Sequence, residues 1–159
     1  MAFKTADIAD DHRDKLRVPF NLFLHFGLKP AFEGVITTVK VFEDNVLVKK
    51  TLEENGEGRV LVVDGGGSER VALLGDNVAA LAEKNEWEGI LIYGCIRDSA
   101  DIDQMHVAIR ALGTHPFKSI KKGEGDVNIP VTFAGITFNP GEYMYADEDG
   151  ILVTAKALL

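Results

Sequence analysis

RVLVVDGGGSERVALLGDNVAALAEKNEWEGILIYGCIRD, residues 59 to 98, is the stretch whose pattern decides the fold. Arg59 to Val63 is a valine-rich strand candidate, and Gly89 to Tyr93 is a second, continuously apolar one of the kind that parallel sheets bury on both faces. Between them Asp76 opens a helical pattern as its cap, with Val78, Leu81 and Ala82 spaced to point inward from one face. Strand, helix and strand in that order predict a parallel βαβ unit.

The same reading extends in both directions. Upstream, Val35 to Phe42 is β-branched and strand-like. Asp44 or Asn45 then caps a helix running through Leu47, Val48 and Leu52 to a stop at Gly56, and Thr5 to Lys15 forms a short polar helix at the start. Beyond about residue 107 the segments shorten, with turn signals at Gly113, Gly123, Pro140-Gly141 and Asp149-Gly150, which predicts antiparallel strands closing the structure. A length of 159 residues without repeat, linker or low-complexity tract fits one α/β domain over residues 1–159.

Composition narrows the function. Hydrophobic residues at 46% and charged residues at 26% are those of a folded chain that buries a core. Seventeen basic against 25 acidic residues give a net charge of −8, and no basic run exceeds the pairs Lys49-Lys50 and Lys121-Lys122, which argues against direct contact with RNA or DNA. The apolar runs are too short to span a membrane and no secretion signal precedes them, so the expected address is the cytoplasm. Cys95 stands alone and reads as a small buried residue. His12, His25, His106 and His115 lack ligand spacing, and Glu43-Asp44 reads as an exposed corner capping the next helix.

Two loops are expected at the carboxyl ends of strands, where ligands bind in open α/β sheets: Asp64 to Ser68 and Gly94 to Asp98. The three glycines Gly65 to Gly67 either shape a pocket or make a tight turn; the spacing of a nucleotide-binding loop fails at Arg70 and no Lys-Ser/Thr follows. Gly75-Asp76-Asn77 marks a helix start whose amides favour a carboxylate, although Asp76 also reads as a plain cap. Arg97 and Asp98 follow a strand directly, and Asp101 lies three residues on, which places two carboxylates on one face beside a guanidinium. Such oxygen ligands suit Mg²⁺ or Mn²⁺, and a planar arginine fork suits a carboxylate or enolate. A surface ion pair with a capping Asp is the plainer reading of the same residues.

The set Asp76, Arg97-Asp98 and Asp101, flanked by Val41 to Asn45, Val62 to Ser68 and Asn85 to Gly89, and followed by Gly135 to Phe138 and Tyr145 to Asp147, resembles the regulator of ribonuclease activity A (RraA) family and its metal-dependent aldolase relatives. The resemblance runs from near residue 5 to Ile151. It implies a compact α/β/β fold with a β-rich central layer, a parallel part and C-terminal antiparallel strands. It also implies a ring-like homotrimer with clefts between subunits, for which Phe20, Phe23 and Phe26 are candidate contacts.

The aldolase relatives cleave 4-hydroxy-4-methyl-2-oxoglutarate or its carboxylated homologue, and several decarboxylate oxaloacetate; both routes pass through pyruvate enolate. Carried over by position, Asp98 holds the divalent metal, with Asp101 as an additional or outer ligand. Arg97 binds the keto or enolate oxygen. The amides around Leu74, Gly75, Asp76, Asn77 and Val78 receive the substrate carboxylate, and Asp76 orients a metal-bound water as base. Longer aldolase members continue past the position of Leu159, which implies weaker aldol cleavage here than oxaloacetate decarboxylation. The regulator branch implies instead binding to a ribonuclease E or RNA helicase scaffold without catalysis. In that branch the residue after the Arg is commonly not Asp, so Asp98 favours the enzyme. Some relatives carry a menaquinone methyltransferase label, but no glycine-rich adenosylmethionine motif opens a βαβ unit in this chain.

Overall fold

The computed structural model describes residues 3–159. The central strand is β3, Val60–Asp64, buried at every position. Its side chains alternate between two cores: Leu61 and Val63 face one cluster with Val48, Leu52, Ala79 and Ala82, while Val60 and Val62 face another with Phe133, Phe138, Met144 and Val153. Because successive residues point to opposite faces, a strand covered on both sides has to be apolar throughout.

Around it runs β2, Phe32–Lys40, parallel on one side, and β5, Gly89–Ile96, parallel on the other. Then β6, Ile109–Thr114, continues the parallel run and β1, Leu24–Phe26, adds an antiparallel edge. On the opposite flank β2 pairs antiparallel with β10, Tyr143–Asp147, which pairs with β11, Gly150–Thr154. The sheet order is thus β1-β6-β5-β3-β2-β10-β11. Two short strands sit off this path: β4, Ala72–Leu74, on β5, and β7, Asp126–Val127, on β2. A separate hairpin of β8, Val131–Phe133, and β9, Ile136–Phe138, lies over the second core.

Helices α2, Val46–Leu52, and α3, Asp76–Lys84, pack on the first face. Helix α1, Thr5–His12, is followed by a 3-10 turn at Arg13–Lys15 and packs through Ile8 against Tyr145 and Leu152. Helix on one face, hairpin on the other, and a mostly parallel sheet between them give the expected α/β/β layering. No described helix is long and apolar enough to cross a membrane.

Several boundaries differ from the sequence expectation. Strand β2 starts three residues before Val35 and stops at Lys40, and β3 lies one residue later than expected. Strand β5 runs on to Ile96 because β4 pairs with its far end, Ala72 to Cys95 and Leu74 to Ile96; Gly94-Cys95-Ile96 is therefore strand, not loop. Asp76 is the first residue of α3, and the capping position belongs to Gly75. Asp44 is not an exposed corner but only 4% exposed. Of the three aromatic contact candidates, Phe26 belongs to the core, while Phe20 is 65% exposed.

Candidate active site

Strands β4 and β5 end side by side, and the chain leaves them in two directions. After Leu74 it turns through Gly75 into α3; after Ile96 it turns through Arg97 and Asp98 into the short helix α4, Ser99–Ile102. The Arg97 amide donates to the Leu74 carbonyl at 2.9 Å, which locks the two turns together. Asp98 takes a left-handed conformation, φ 57° and ψ 36°. This conformation is uncommon outside glycine but tolerated by Asp. The bend turns its carboxylate back across the β4 exit, where Oδ2 accepts a hydrogen bond from the Asp76 amide at 3.1 Å.

These turns open onto a cavity of about 240 Å³ lined by Leu74, Gly75, Asp76, Asn77, Val78, Arg97 and Asp98. The far wall is Asn45 and Lys49 from α2 and the turn before it, with Lys118, Ser119 and Lys121 from the segment after β6. That segment reaches the site because the Ala72 amide donates to the Phe117 carbonyl at 2.8 Å and the His115 amide to the Ile96 carbonyl at 2.9 Å. Hollows of about 470 and 500 Å³ lie elsewhere, beside Arg110 and beside Phe3. Neither joins the arginine, the paired carboxylates and a helix start in one place, so chemistry rather than size selects the smaller one.

The expected residues therefore meet, with one exception. Asp101 is exposed on α4 and does not line the cavity. Spacing of three residues shares a face only when both residues are helical, and Asp98 stands outside the helix in its left-handed turn. The expected amide seat is present, with two of its amides taken by internal carboxylates. Asp76 N–H goes to Asp98, and Asn77 N–H donates to Asp76 Oδ1 at 2.8 Å. A carboxylate drawn to this helix start is what the free amides and the positive end of the helix dipole favour.

Lys49, Lys118, Ser119 and Lys121 carry no sequence signal of a place in the site. Lys49 and Lys121 were visible only as members of two dibasic pairs, and nothing in one sequence shows that two such pairs face each other across a hollow. Arg97 Nη1 donates to the Pro116 carbonyl at 3.4 Å, which holds the guanidinium over the site. None of the four cations forms an ion pair within 4.0 Å among the described residues. Four cations against the two carboxylates Asp76 and Asp98 make a wall suited to an anion carrying more than one charge.

The donor set also accommodates a divalent cation of the hydrated kind. Among the described residues no group of three or more His, Cys, Asp or Glu side chains forms a cage. Asp98 uses Oδ2 for the Asp76 amide and leaves Oδ1 available. One or two carboxylates with open water positions fit Mg²⁺ or Mn²⁺, which keep several waters and take the rest of their ligands from substrate.

The glycine-rich loop plays a different part. Gly65 and Gly67 amides both donate to the Tyr93 carbonyl at 3.1 Å, and the Gly66 amide to Asp64 Oδ1 at 2.9 Å. With its amides spent internally, the loop is a tight turn and not an anion cradle; a Cβ on Gly65 would lie 2.7 Å from the Tyr93 carbonyl oxygen.

Residues 5–153 match the family model described as RraA-like, Aldolase/RraA. The chain belongs to the RraA-like family. A relative from Dechloromonas aromatica, provisionally named 4-hydroxy-4-methyl-2-oxoglutarate aldolase, is 56% identical over 99% of both chains. Two solved structures superpose closely. One, described as an S-adenosylmethionine:2-dimethylmenaquinone methyltransferase from Geobacillus kaustophilus, has a TM-score of 0.94 at 49% identity, covering 98% of this chain and 97% of its own. The other, the RNA-processing inhibitor RraA of a Thermus species, has a TM-score of 0.96 at 40% identity, covering 100% and 96%.

Proposed function

We propose that this RraA-like protein is a divalent-metal-dependent lyase that cleaves 2-oxo acids through pyruvate enolate, acting as a 4-hydroxy-4-methyl-2-oxoglutarate aldolase and an oxaloacetate decarboxylase. The observation that carries the reading is the meeting of Arg97, Asp98 and Asp76 at the exit of two paired strands, facing a wall of lysines. Both substrates are dianions, and the cationic excess of the cavity matches that charge. Aldolases of this family are metal-dependent in general, and relatives at 56% and 55% identity carry the provisional name 4-hydroxy-4-methyl-2-oxoglutarate aldolase.

Asp98, through Oδ1, is the residue that would hold Mg²⁺ or Mn²⁺, assisted by Asp76. The bound cation supplies Lewis-acid polarisation of the 2-oxo acid. Arg97 donates to the keto oxygen and to the enolate oxygen that develops from it, a role for which its five fixed donors and permanent charge are suited. The substrate carboxylate is received at the α3 entrance by the amides around Gly75, Asn77 and Val78, the Asn77 amide being released as the Asp76 side chain turns to its water, while Asp98 Oδ2 keeps the Asp76 amide. Asp76 orients the water that removes the hydroxyl proton in aldol cleavage. Lys49 and Lys121 receive the distal carboxylate. Asp101 has no direct part.

Residues 1–159 act as one unit in this reading, in the cytoplasm and as a homotrimer whose contacts include the exposed Val18, Phe20, Leu22 and Leu24. The loop at Gly65 to Gly67 offers adenosylmethionine no free amides, which weighs against methyl transfer. A second reading is favoured by the Thermus structure and the net charge of −8: an acidic surface that docks on a basic ribonuclease E or helicase scaffold, away from the cavity and without touching RNA.

The test is pyruvate release from oxaloacetate and from 4-hydroxy-4-methyl-2-oxoglutarate with Mg²⁺, with Mn²⁺ and with chelator. Release above the metal-only background that chelator abolishes supports the lyase. Release no faster than that background contradicts it.

A further inference from the structure

The carboxylate of Asp44 lies behind the lysine wall, outside the cavity itself. Its Oδ1 accepts from the Val46 amide at 3.1 Å and so satisfies the first amide of α2 from the residue before the Asn45 cap position. A helix start needs no more than this. Yet Oδ2 is turned away from the helix and accepts from the amides of Lys122 at 3.0 Å and Glu124 at 3.1 Å.

The flanking residues grip the same segment. Ile120 N–H donates to the Glu43 carbonyl at 2.8 Å, Asn45 N–H to Ser119 Oγ at 3.1 Å, and Lys121 Nζ to Asn45 Oδ1 at 2.7 Å. Residues 120–128 are exposed throughout, so this segment has no core of its own to fix it. Burial by itself would raise the Asp44 carboxyl, but the amides of Val46, Glu124, Lys122 and Gly123 outweigh it and hold the carboxyl below its ordinary value. The group is therefore an anion at neutral pH, bonded to the loop.

We propose that Asp44 is a positioning residue for substrate binding: by tying the 119–124 segment to the start of α2 it sets Lys121 at the cavity, where the distal carboxylate of a dianionic substrate docks. The inference rests on the lyase reading above. It predicts that Asp44 acts through Lys121 and not merely through overall stability. Losing the charge-assisted contact of Lys121 with the distal carboxylate raises KM on the order of tenfold or more.

The experiment is a double-mutant cycle on the full chain, with oxaloacetate as substrate at saturating Mg²⁺. Asp44→Asn keeps one carbonyl oxygen and loses an acceptor, Lys121→Met removes the charge, and the double variant carries both changes. Each single variant raises KM about tenfold with kcat within about threefold, and the double variant is no worse than Lys121→Met alone. If Asp44→Asn does not fold, Ser119→Ala replaces it in the cycle. That variant cuts the Asn45 contact and leaves the cap, and the same non-additivity is expected. Multiplying effects, or an Asp44 variant with unchanged KM, overturn the positioning role while the lyase stands. A wild-type protein that releases no pyruvate above the metal background overturns both.

Discussion

Asp98 reaches back from the end of β5 to hold the first amide of α3, with Oδ2 3.1 Å from the Asp76 nitrogen. The hydrogen bond joins the two carboxylates of the site to one another through the backbone, and it depends on the left-handed turn at Asp98, φ 57°. One residue therefore both shapes the helix entrance and presents a free oxygen to the cavity.

Replacing that carboxylate should cost catalysis far more than stability. Asp98→Ala is expected to lower kcat/KM for oxaloacetate at least about 100-fold, the scale seen when a group stabilising transition-state charge is removed. Thermal unfolding should shift by only a few degrees, because Asp98 is exposed and forms no ion pair within 4.0 Å among the described residues. Steady-state kinetics beside a melting curve check both halves.

Gly75 is a second sensitive point, for a steric reason. Its backbone is extended, φ −124° and ψ −168°, so another residue could adopt it. A Cβ there, however, would lie 2.6 Å from Asp98 Oδ2 and 3.5 Å from Arg97 Cγ. Gly75→Ala should push Asp98 out of register and reduce turnover by on the order of tenfold or more while the chain still folds, since misplacement of about 1 Å in an active site is costly. Turnover measured beside circular dichroism will show whether the loss is local.

Arginine at position 97 should not be exchangeable for lysine. The guanidinium donates to the Pro116 carbonyl and still offers other N–H groups to the cavity, whereas an ammonium on a flexible stem cannot keep both directions fixed. Arg97→Lys is expected to lose about 10- to 100-fold in kcat/KM, mainly through kcat. A loss confined to KM would assign Arg97 to ground-state binding instead.

Acid should loosen the N-terminal helix through Asp147. Its carboxylate accepts from the Thr5 amide at 2.8 Å, the Thr5 hydroxyl at 2.6 Å and the Asp149 amide at 2.9 Å. Burial would raise this carboxyl, but the Thr5, Asp149 and Gly150 donors prevail and leave it below its ordinary value. A depressed folded value means that the stabilisation is complete above the unfolded carboxylate pKa of about 3.9 and is lost as pH falls through the folded value below it. Unfolding followed against pH should therefore steepen below about pH 4, and Asp147→Asn should flatten that slope.

The sequence was most legible where a single chain segment contains its own constraint. The valine run of β3 and the apolar run at Gly89 to Tyr93 had to be buried strands, and Asp76, Arg97 and Asp98 all reached the cavity. It was least legible where the deciding partner is distant along the chain. Strand β4 has only three residues and exists because Cys95 and Ile96 pair with it. Asp101 missed the site because the conformation of Asp98, which composition does not encode, breaks the helical phase. Lys49 and Lys121 meet only after α2 and the segment beyond β6 fold to the same side. Asp44, an ordinary helix cap by pattern, shows its second role only through amides some eighty residues away.

The most direct measurement is exchange of the pyruvate methyl protons in D₂O, followed by NMR with Mg²⁺ present, because exchange requires the enolate itself and no leaving group. Catalysed exchange above the metal-only rate, abolished in Arg97→Ala and Asp98→Ala with both proteins folded, is the predicted result. Exchange no faster than with metal alone, in a protein that binds Mg²⁺ and pyruvate, would contradict the claim that this site makes and stabilises pyruvate enolate.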